Sequence, residues 1–477
     1  MTFDLDLAES VGGLIHLTVV VNEDEVWPHP GATDSGSDFE PEDILAWLTD
    51  AWASLHLEQS WPIPFTSQQE PRSITGLLRA AEERWEEFGD TEADRVAAES
   101  NRVEDFLYRH DLSQMKFGAG LGPCFVIRQQ GQVRMEASGR LFEAIEFDEF
   151  VNRLGGLGNQ AAELLRARNG DATPQVVTRW LDREWVDPVE AVALISGIPN
   201  EDWAEEPDLV AAVRRDFGSR TLRVIANDNS PLQAAARSSG ALGIAGVAEV
   251  WRHIQSLPNG NPATLAEFRY RLRRDLRAVP TPLDQGIRAA GLMREWLTIP
   301  DDARVDLDAI SSRLGIWVER RSIADTRLDG IATQGPRHGP AIVLNTQTRR
   351  QGAGGDDLER SLRFTWAHEI GHILLDSDEW PTMVDAARQR VPRSTETRAN
   401  AFATYLLLPR GSARRAWEAA GTPCEWDGLE RLLNAITQSF GLPRIAASRQ
   451  LAREVPPERR RYVEPVFRQN IENFDGR

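Results

Sequence analysis

His368, Glu369 and His372 stand in the pattern H-E-x-x-H, within Thr365-Trp366-Ala367-His368-Glu369-Ile370-Gly371-His372-Ile373-Leu374-Leu375. On a helix, residues four apart share a face, with Cβ atoms about 5–6 Å apart. Both imidazoles can therefore reach one metal ion at about 2.0–2.1 Å. Glu369 sits one residue round, where it can take a proton from an attacking water and pass it to a leaving amine. Those are the groups of a zinc peptidase. The plain alternative is a surface helix carrying the same letters by chance, so the flanking sequence decides.

A catalytic zinc needs a third protein ligand and keeps its fourth position open. No histidine follows His372, so a carboxylate is required, and Asp376, Asp378, Glu379, Asp385 and Glu396 are the candidates. Asp376 lies one helical turn beyond His372, which suits an outer group or a surface acid. Glu396 opens a helical run that Pro409 ends, with Ala399, Phe402 and Leu406 as its apolar stripe. Asn400, one turn after Glu396, could accept the outer N–H of a ligating imidazole; a helix-packing amide is the alternative.

Elements that must position these groups precede them. Pro280-Thr281-Pro282 separates a new unit from what comes before. A helix is predicted over 283–296, then a short helix to Leu314 with Gly315 past its end. Strands follow at Ile316–Glu319, Leu328–Ala332 and Ala341–Asn345. Asp356 or Asp357 can N-cap the motif helix. Gly371 inside that helix costs about 1 kcal/mol against alanine, which a close approach of neighbouring backbone would explain. His338 reads as a loop histidine, either on the surface or near a developing oxyanion. Tyr405, nine residues after Glu396, falls on the opposite helix face and is a poor oxyanion donor. Residues 429–440, Gly441-Leu442-Pro443 and 444–454 read as helix, turn, helix. Arg444, Arg449 and Arg453 permit DNA contact, but the unit lacks a polar base-reading cluster, so a cap on the preceding domain is favoured.

On these pieces the stretch from about 281 to 455 resembles the ImmA/IrrE metallopeptidases. Arg363 to His372 is similar to that family's signature helix. Glu396, Ala399-Asn400, Phe402-Ala403 and Leu407-Leu408-Pro409 are similar to its second helix, and Leu328-Asp329-Gly330 and Ile342–Asn345 also look like it. The resemblance implies a zincin-like fold, a small β-sheet plus active-site helices. It also implies one catalytic Zn2+ held by His368, His372 and Glu396, with Glu369 as base. Arg398 departs from it, standing where many relatives carry a second glutamate; the first is read here as the ligand. In zincin-like folds the strand before the motif helix lies at the sheet edge and pairs with substrate backbone, which assigns Ile342, Val343, Leu344 and Asn345 to the substrate. The family's activity implies a cytoplasmic zinc endopeptidase cleaving a regulatory protein, such as a transcriptional repressor, in a stress, mobile-element or phage-defence response. The alternative is a non-enzymatic regulator using the zinc fold and the helix-turn-helix-like unit to bind protein or DNA. An intact Glu369 weighs against it.

The rest of the 477-residue chain carries the charge. Of the net −19, residues 1–110 contribute −18, with 24 Asp and Glu against 6 Arg. That composition suits solubility or a basic partner and makes this part a poor grip for a phosphate backbone. No apolar run reaches the roughly 18 residues of a membrane span. Met1 to Ser10 carries three acids and no basic residue, unlike a secretory signal. Cys124 and Cys424 fit no metal spacing or disulfide framework. Residues 1–168 read as an acidic α+β domain. Its expected elements are a strand at 14–21, helices at 42–56, 72–88, 92–110 and 145–167, and a hairpin at 124–136. Trp47, Trp52, Trp61 and Trp85 are assigned to its core. Residues 174–278 read as a mainly helical region, with five arginines from Arg269 to Arg277 as a solvated face, an interdomain or partner contact being the alternative, and His253 as a surface or capped histidine. The expected whole is an α+β multidomain chain, with the zincin-like domain over 281–415 and the helix-turn-helix-like unit over 416–477.

Overall fold

The computed structural model describes residues 1–464 except 10–11, 29–37, 60, 64–72, 89–91, 117–120, 130, 171–172, 219, 227–242, 261, 324–327, 336–337, 349–354, 377–392 and 462. The chain divides into two compact units, Met1–Asp228 and Asn229–Arg477. This differs from the expected boundaries. The helices of 174–278 do not stand alone: those up to Leu222–Ala226 belong to the first unit, and Ile244–Ser256 and Ala263–Leu276 to the second. Leu265, Phe268 and Leu272 share one apolar core with Trp366 and Ile370 of the motif helix and Leu429 and Leu433 of the C-terminal helices. Residues 416–464 are therefore a continuation of the core that holds the motif helix.

In the first unit, β1 (Phe3–Glu9), β2 (Ile15–Val21), β3 (Asp24–Trp27) and β4 (Asp38–Phe39) form an antiparallel sheet around β2. Ile15, Leu17, Val19 and Val21 are buried, the period-2 pattern of a strand with one face on a core. A second antiparallel sheet holds β5 (Cys124–Gln129), β6 (Gln132–Ala137) and β7 (Arg140–Glu146). The second sheet packs through β5 on the helix Pro41–Leu57, which buries Trp47 and Trp52, and the first through β1 on the helix Phe147–Asn169. Trp61 is also buried, and Trp85 packs partly buried against Ile63, Ala81 and Val103.

In the second unit, β8 (Trp317–Arg321), β9 (Gly330–Gly335) and β10 (His338–Asn345) form a three-stranded sheet in the order β8-β10-β9. β10 runs parallel to β8 and antiparallel to β9. This corrects the expectation that Ile342, Val343, Leu344 and Asn345 lie at the edge. Both edges of β10 are already paired, and each of these residues is fully buried. The sequence Ala341-Ile342-Val343-Leu344 is continuous apolar because this strand is covered on both faces. The edge beside the motif helix belongs to β9.

Four helices build the site. The motif helix is Gly355–Leu375 and the ligand helix Arg393–Leu407. The clasp helix, Ala263–Leu276, and the bracing helix, Pro282–Leu297, precede the sheet in sequence. The motif helix is buried all round from Thr365 to Leu374, as expected of a helix with sheet on one side and helices on the other. The helix begins at Gly355, so Asp356 and Asp357 lie inside its first turn. No helix among the described residues is long and apolar enough to cross a membrane.

Candidate metal centre

Close packing sets the two site helices side by side. A Cβ on Gly371 would stand 3.0 Å from the Phe402 ring and 3.4 Å from the Ala399 backbone, so the glycine lets the ligand helix approach. His368 and His372 share the face turned toward it. Their Nε2 atoms lie 2.9 Å apart, and Glu396 reaches both, 3.3 Å from His372 Nε2 and 3.6 Å from His368 Nε2. A tetrahedral ion with bonds of about 2.0–2.1 Å separates its ligand atoms by about 3.3 Å, so the donor set fits zinc in spacing and in kind. The ligand atoms all lie within 4.8 Å of one another, the only such cluster among the described residues. Of the other carboxylates considered, Asp378, Glu379 and Asp385 fall outside the described residues. Asp376 is elsewhere, on the far nitrogen of His372.

That nitrogen, Nδ1, is 2.9 Å from Asp376 Oδ2, and Asp376 is fully buried. The other oxygen of Asp376 accepts from Arg398. The outer partner of the ligating imidazole is therefore Asp376, and the expected Asn400 is corrected. Asn400 is exposed, and its backbone carbonyl accepts from Thr404. A helix places i+4 of His372 directly over its ring but turns i+4 of Glu396 to solvent. Burial disfavours charge on His372, but the hydrogen bonds and charges of Asp376 and Glu396 outweigh it and raise its pKa well above the usual histidine range. Groups that stabilise a proton there stabilise a metal cation in its place.

Glu369 is fully buried on the side of the motif helix that faces β9. A Cβ on Gly330, the first residue of β9, would stand 2.7 Å from Thr365 Cγ2 and 3.3 Å from Glu369 Oε1. The edge strand thus passes directly over the carboxylate. Asn345 has a structural task instead of a substrate. Its side chain accepts from the Ile323 and Gln347 amides and donates to the Leu328 carbonyl, tying the loops that lead into and out of the sheet. His338 is neither on the surface nor in a loop; it begins β10 and is fully buried. Tyr405 packs in the core.

Two arginines secure the last turns of the site helices, and the sequence reading missed both. Arg269 of the clasp helix, only 7% exposed, donates Nε–H to the Ile373 carbonyl at 2.8 Å and also reaches Gln334 of β9. Burial, then the nearby Arg273, lowers its pKa to about 10. Arg294 of the bracing helix donates to the Leu406 carbonyl at 2.6 Å and to Ala303 O at 3.2 Å. Cations at helix C-termini satisfy the terminal carbonyls and the helix dipole. Arg269 was assigned with its neighbours to a solvated face; it alone of the five turns inward. His253 is likewise buried, against Arg321 and Glu319.

The helix-turn-helix-like unit is fastened to this frame. Arg363 of the motif helix donates to Val305 O at 2.7 Å and to Gly441 O in the turn at 3.2 Å. The second helix, Arg444–Glu454, buries Ala446, Ala447, Ser448, Gln450 and Leu451.

No curated protein matches the chain. A family model does, over the sheet, both site helices and most of the C-terminal unit: residues 311–451 match the model of the IrrE N-terminal-like domain, a peptidase family designated M78.

Proposed function

We propose that the chain is a zinc-dependent endopeptidase that cuts an extended segment of a regulatory protein, such as a transcriptional repressor, in the cytoplasm. The observation that carries this is the convergence of His368, His372 and Glu396 on one point, beside a buried carboxylate, Glu369, that none of them needs for metal binding. The regulatory substrate and the stress or mobile-element setting come from the ImmA/IrrE resemblance.

When bound, zinc would acidify a water and polarise the scissile carbonyl. His368, His372 and Glu396 would hold it, with Asp376 fixing the tautomer of His372. Glu369 would take the proton of the attacking water and deliver it to the leaving nitrogen. Its burial shields the carboxylate from bulk water. β9 is the terminal strand of its sheet, and its outer edge has no strand partner among the described residues. A substrate strand pairing there would lie along Gly330 and beside Glu369. Main-chain pairing tolerates many sequences, so specificity would be set outside this edge.

Glu369→Gln tests the reading. The variant should keep one zinc per chain and lose cleavage by at least about 100-fold. New protein N-termini in cells expressing the wild type should be missing in cells expressing E369Q. Equal cleavage by the two proteins would sink the proposal.

A further inference from the structure

We propose that Arg398 and Gln285 are positioning residues of the metal centre, acting through Asp376 on His372. The bracing helix, which lies outside the family-matched segment, would thereby be part of the site. The proposal rests on the metal-centre reading above.

A continuous hydrogen-bond chain runs outward from the ligand. His372 Nδ1 meets Asp376 Oδ2 at 2.9 Å, and Asp376 Oδ1 accepts from Arg398 Nη2. Arg398 Nη1 donates to Gln285 Oε1 at 3.1 Å, and Gln285 Nε2 donates to the Val279 carbonyl at 2.9 Å. The direction of every link follows from the residue types. Arginine can only donate, so Asp376 Oδ1 accepts. A carboxylate that accepts at Oδ1 and faces Nδ1 with Oδ2 requires the imidazole to donate there. Nδ1 of His372 then carries the hydrogen, and Nε2 turns its lone pair toward His368 and Glu396, the tautomer a metal needs.

Asp376 is fully buried, so its side chain depends on Arg398 for a compensating charge. Arg398 is in turn oriented by Gln285, whose own amide is anchored to the main chain. The geometry allows little slack. A Cβ on Gly286, next to Gln285, would stand 2.3 Å from the Arg398 carbonyl and 2.7 Å from Ala401 Cβ. The bracing helix therefore touches the ligand helix backbone to backbone at the residue whose side chain holds Asp376. This also gives a role to the arginine that departs from the family pattern: it is the cation of a carboxylate–histidine pair.

Zinc affinity of the full-length protein, read by competition with a chromophoric chelator, tests the proposal without relying on activity. Arg398→Met keeps the length and removes the charge; it should weaken zinc binding about tenfold and shift the absorption spectrum of the cobalt-substituted protein. Arg398→Lys, which can still pair with Asp376 but not reach Gln285, should lose less. In an Asp376→Ala background, R398M should add less than about twofold, because its route to the ligand is already cut. Gln285→Ala, which leaves the charge pair intact and guards against misfolding of R398M, should weaken binding in the same direction by a smaller factor. Wild-type affinity in R398M or Q285A would overturn the proposal, as would an undiminished effect of R398M in the D376A background. Wild-type protein that binds no zinc, or binds it unchanged after His368→Ala and His372→Ala, would instead defeat the metal-centre reading itself.

Discussion

Glu369 and Gly330 depend on each other at the residue scale. The carboxylate has its present position because the facing residue of β9 has no side chain. Gly330→Val should push Glu369 away from the metal and reduce cleavage by at least about 100-fold, while zinc content, measured by elemental analysis, stays at the wild-type level. Loss of zinc together with activity would mean that the strand supports the ligands and not the base. A second residue-scale prediction concerns the first unit. His56 donates its Nδ1–H to the Trp52 carbonyl at 2.8 Å inside the core, and burial, assisted by Arg128, Arg183 and Arg223, lowers its pKa to about 4. The unfolded chain protonates this histidine near 6.5 and the folded chain only near 4. Its stabilising contribution is therefore complete above pH 6.5 and is lost as pH falls from there toward 4. The full loss is about 3 kcal/mol. Thermal unfolding of the wild type should drop faster between pH 7 and pH 4.5 than that of His56→Gln; parallel curves would refute the assignment.

At the scale of elements, each site helix ends under an arginine from a helix that precedes the sheet. Arg269 holds the turn just after His372, and Arg294 holds the end of the ligand helix. Neither arginine touches the metal ligands, so removing either should act through stability and helix placement. Arg269→Met and Arg294→Met should each cost about 2 kcal/mol, because each leaves a buried carbonyl without its charged donor. Chemical denaturation would read this directly. An unchanged midpoint in either variant would mean that the carbonyls find other donors. The same scale decides the fate of the substrate strand. β10 is apolar because it is central, and the edge passes to β9, whose shorter and more polar sequence Gly-Ile-Ala-Thr-Gln-Gly gave a weaker strand signal.

For the whole molecule, the folding unit around the metal centre is larger than the segment that the family model matches. Residues 311–451 match, but Leu265, Phe268, Leu272, Ala289, Ala290 and Met293 lie in the same core. Each large apolar side chain buried there contributes about 1.5–3 kcal/mol, and deleting the set exceeds the usual stability of a domain. Residues 229–477 expressed alone should unfold cooperatively and bind one zinc. Residues 311–477 should be insoluble or lack a cooperative transition by circular dichroism. A cooperatively folded 311–477 would show that the two preceding helices are dispensable. The first unit holds no cluster of metal-binding side chains among its described residues.

The local pattern of the chain determined most of the helices, most of the strands, and the placing of His368, Glu369 and His372 on one helix, because those depend on spacing along one element. Glu396 was one of five carboxylates on that basis, and the motif of its own helix singled it out. Gly371 was legible too, as a glycine whose cost within a helix needed a close neighbour, and Ala399 and Phe402 are that neighbour. β1 was missed although Phe3, Leu5 and Leu7 alternate with Asp4 and Asp6, the period of a strand with one apolar face. What only the tertiary structure decided is which residues meet across elements. Asp376 rather than Asn400 orients His372, since the carboxylate sits on the buried face of its helix and the amide on the exposed one. β9 rather than β10 borders the site, since strand order is set by pairing partners far apart in sequence. Arg269, Arg294 and Arg398 look like any surface arginine until the carbonyl or carboxylate that each one satisfies is in place.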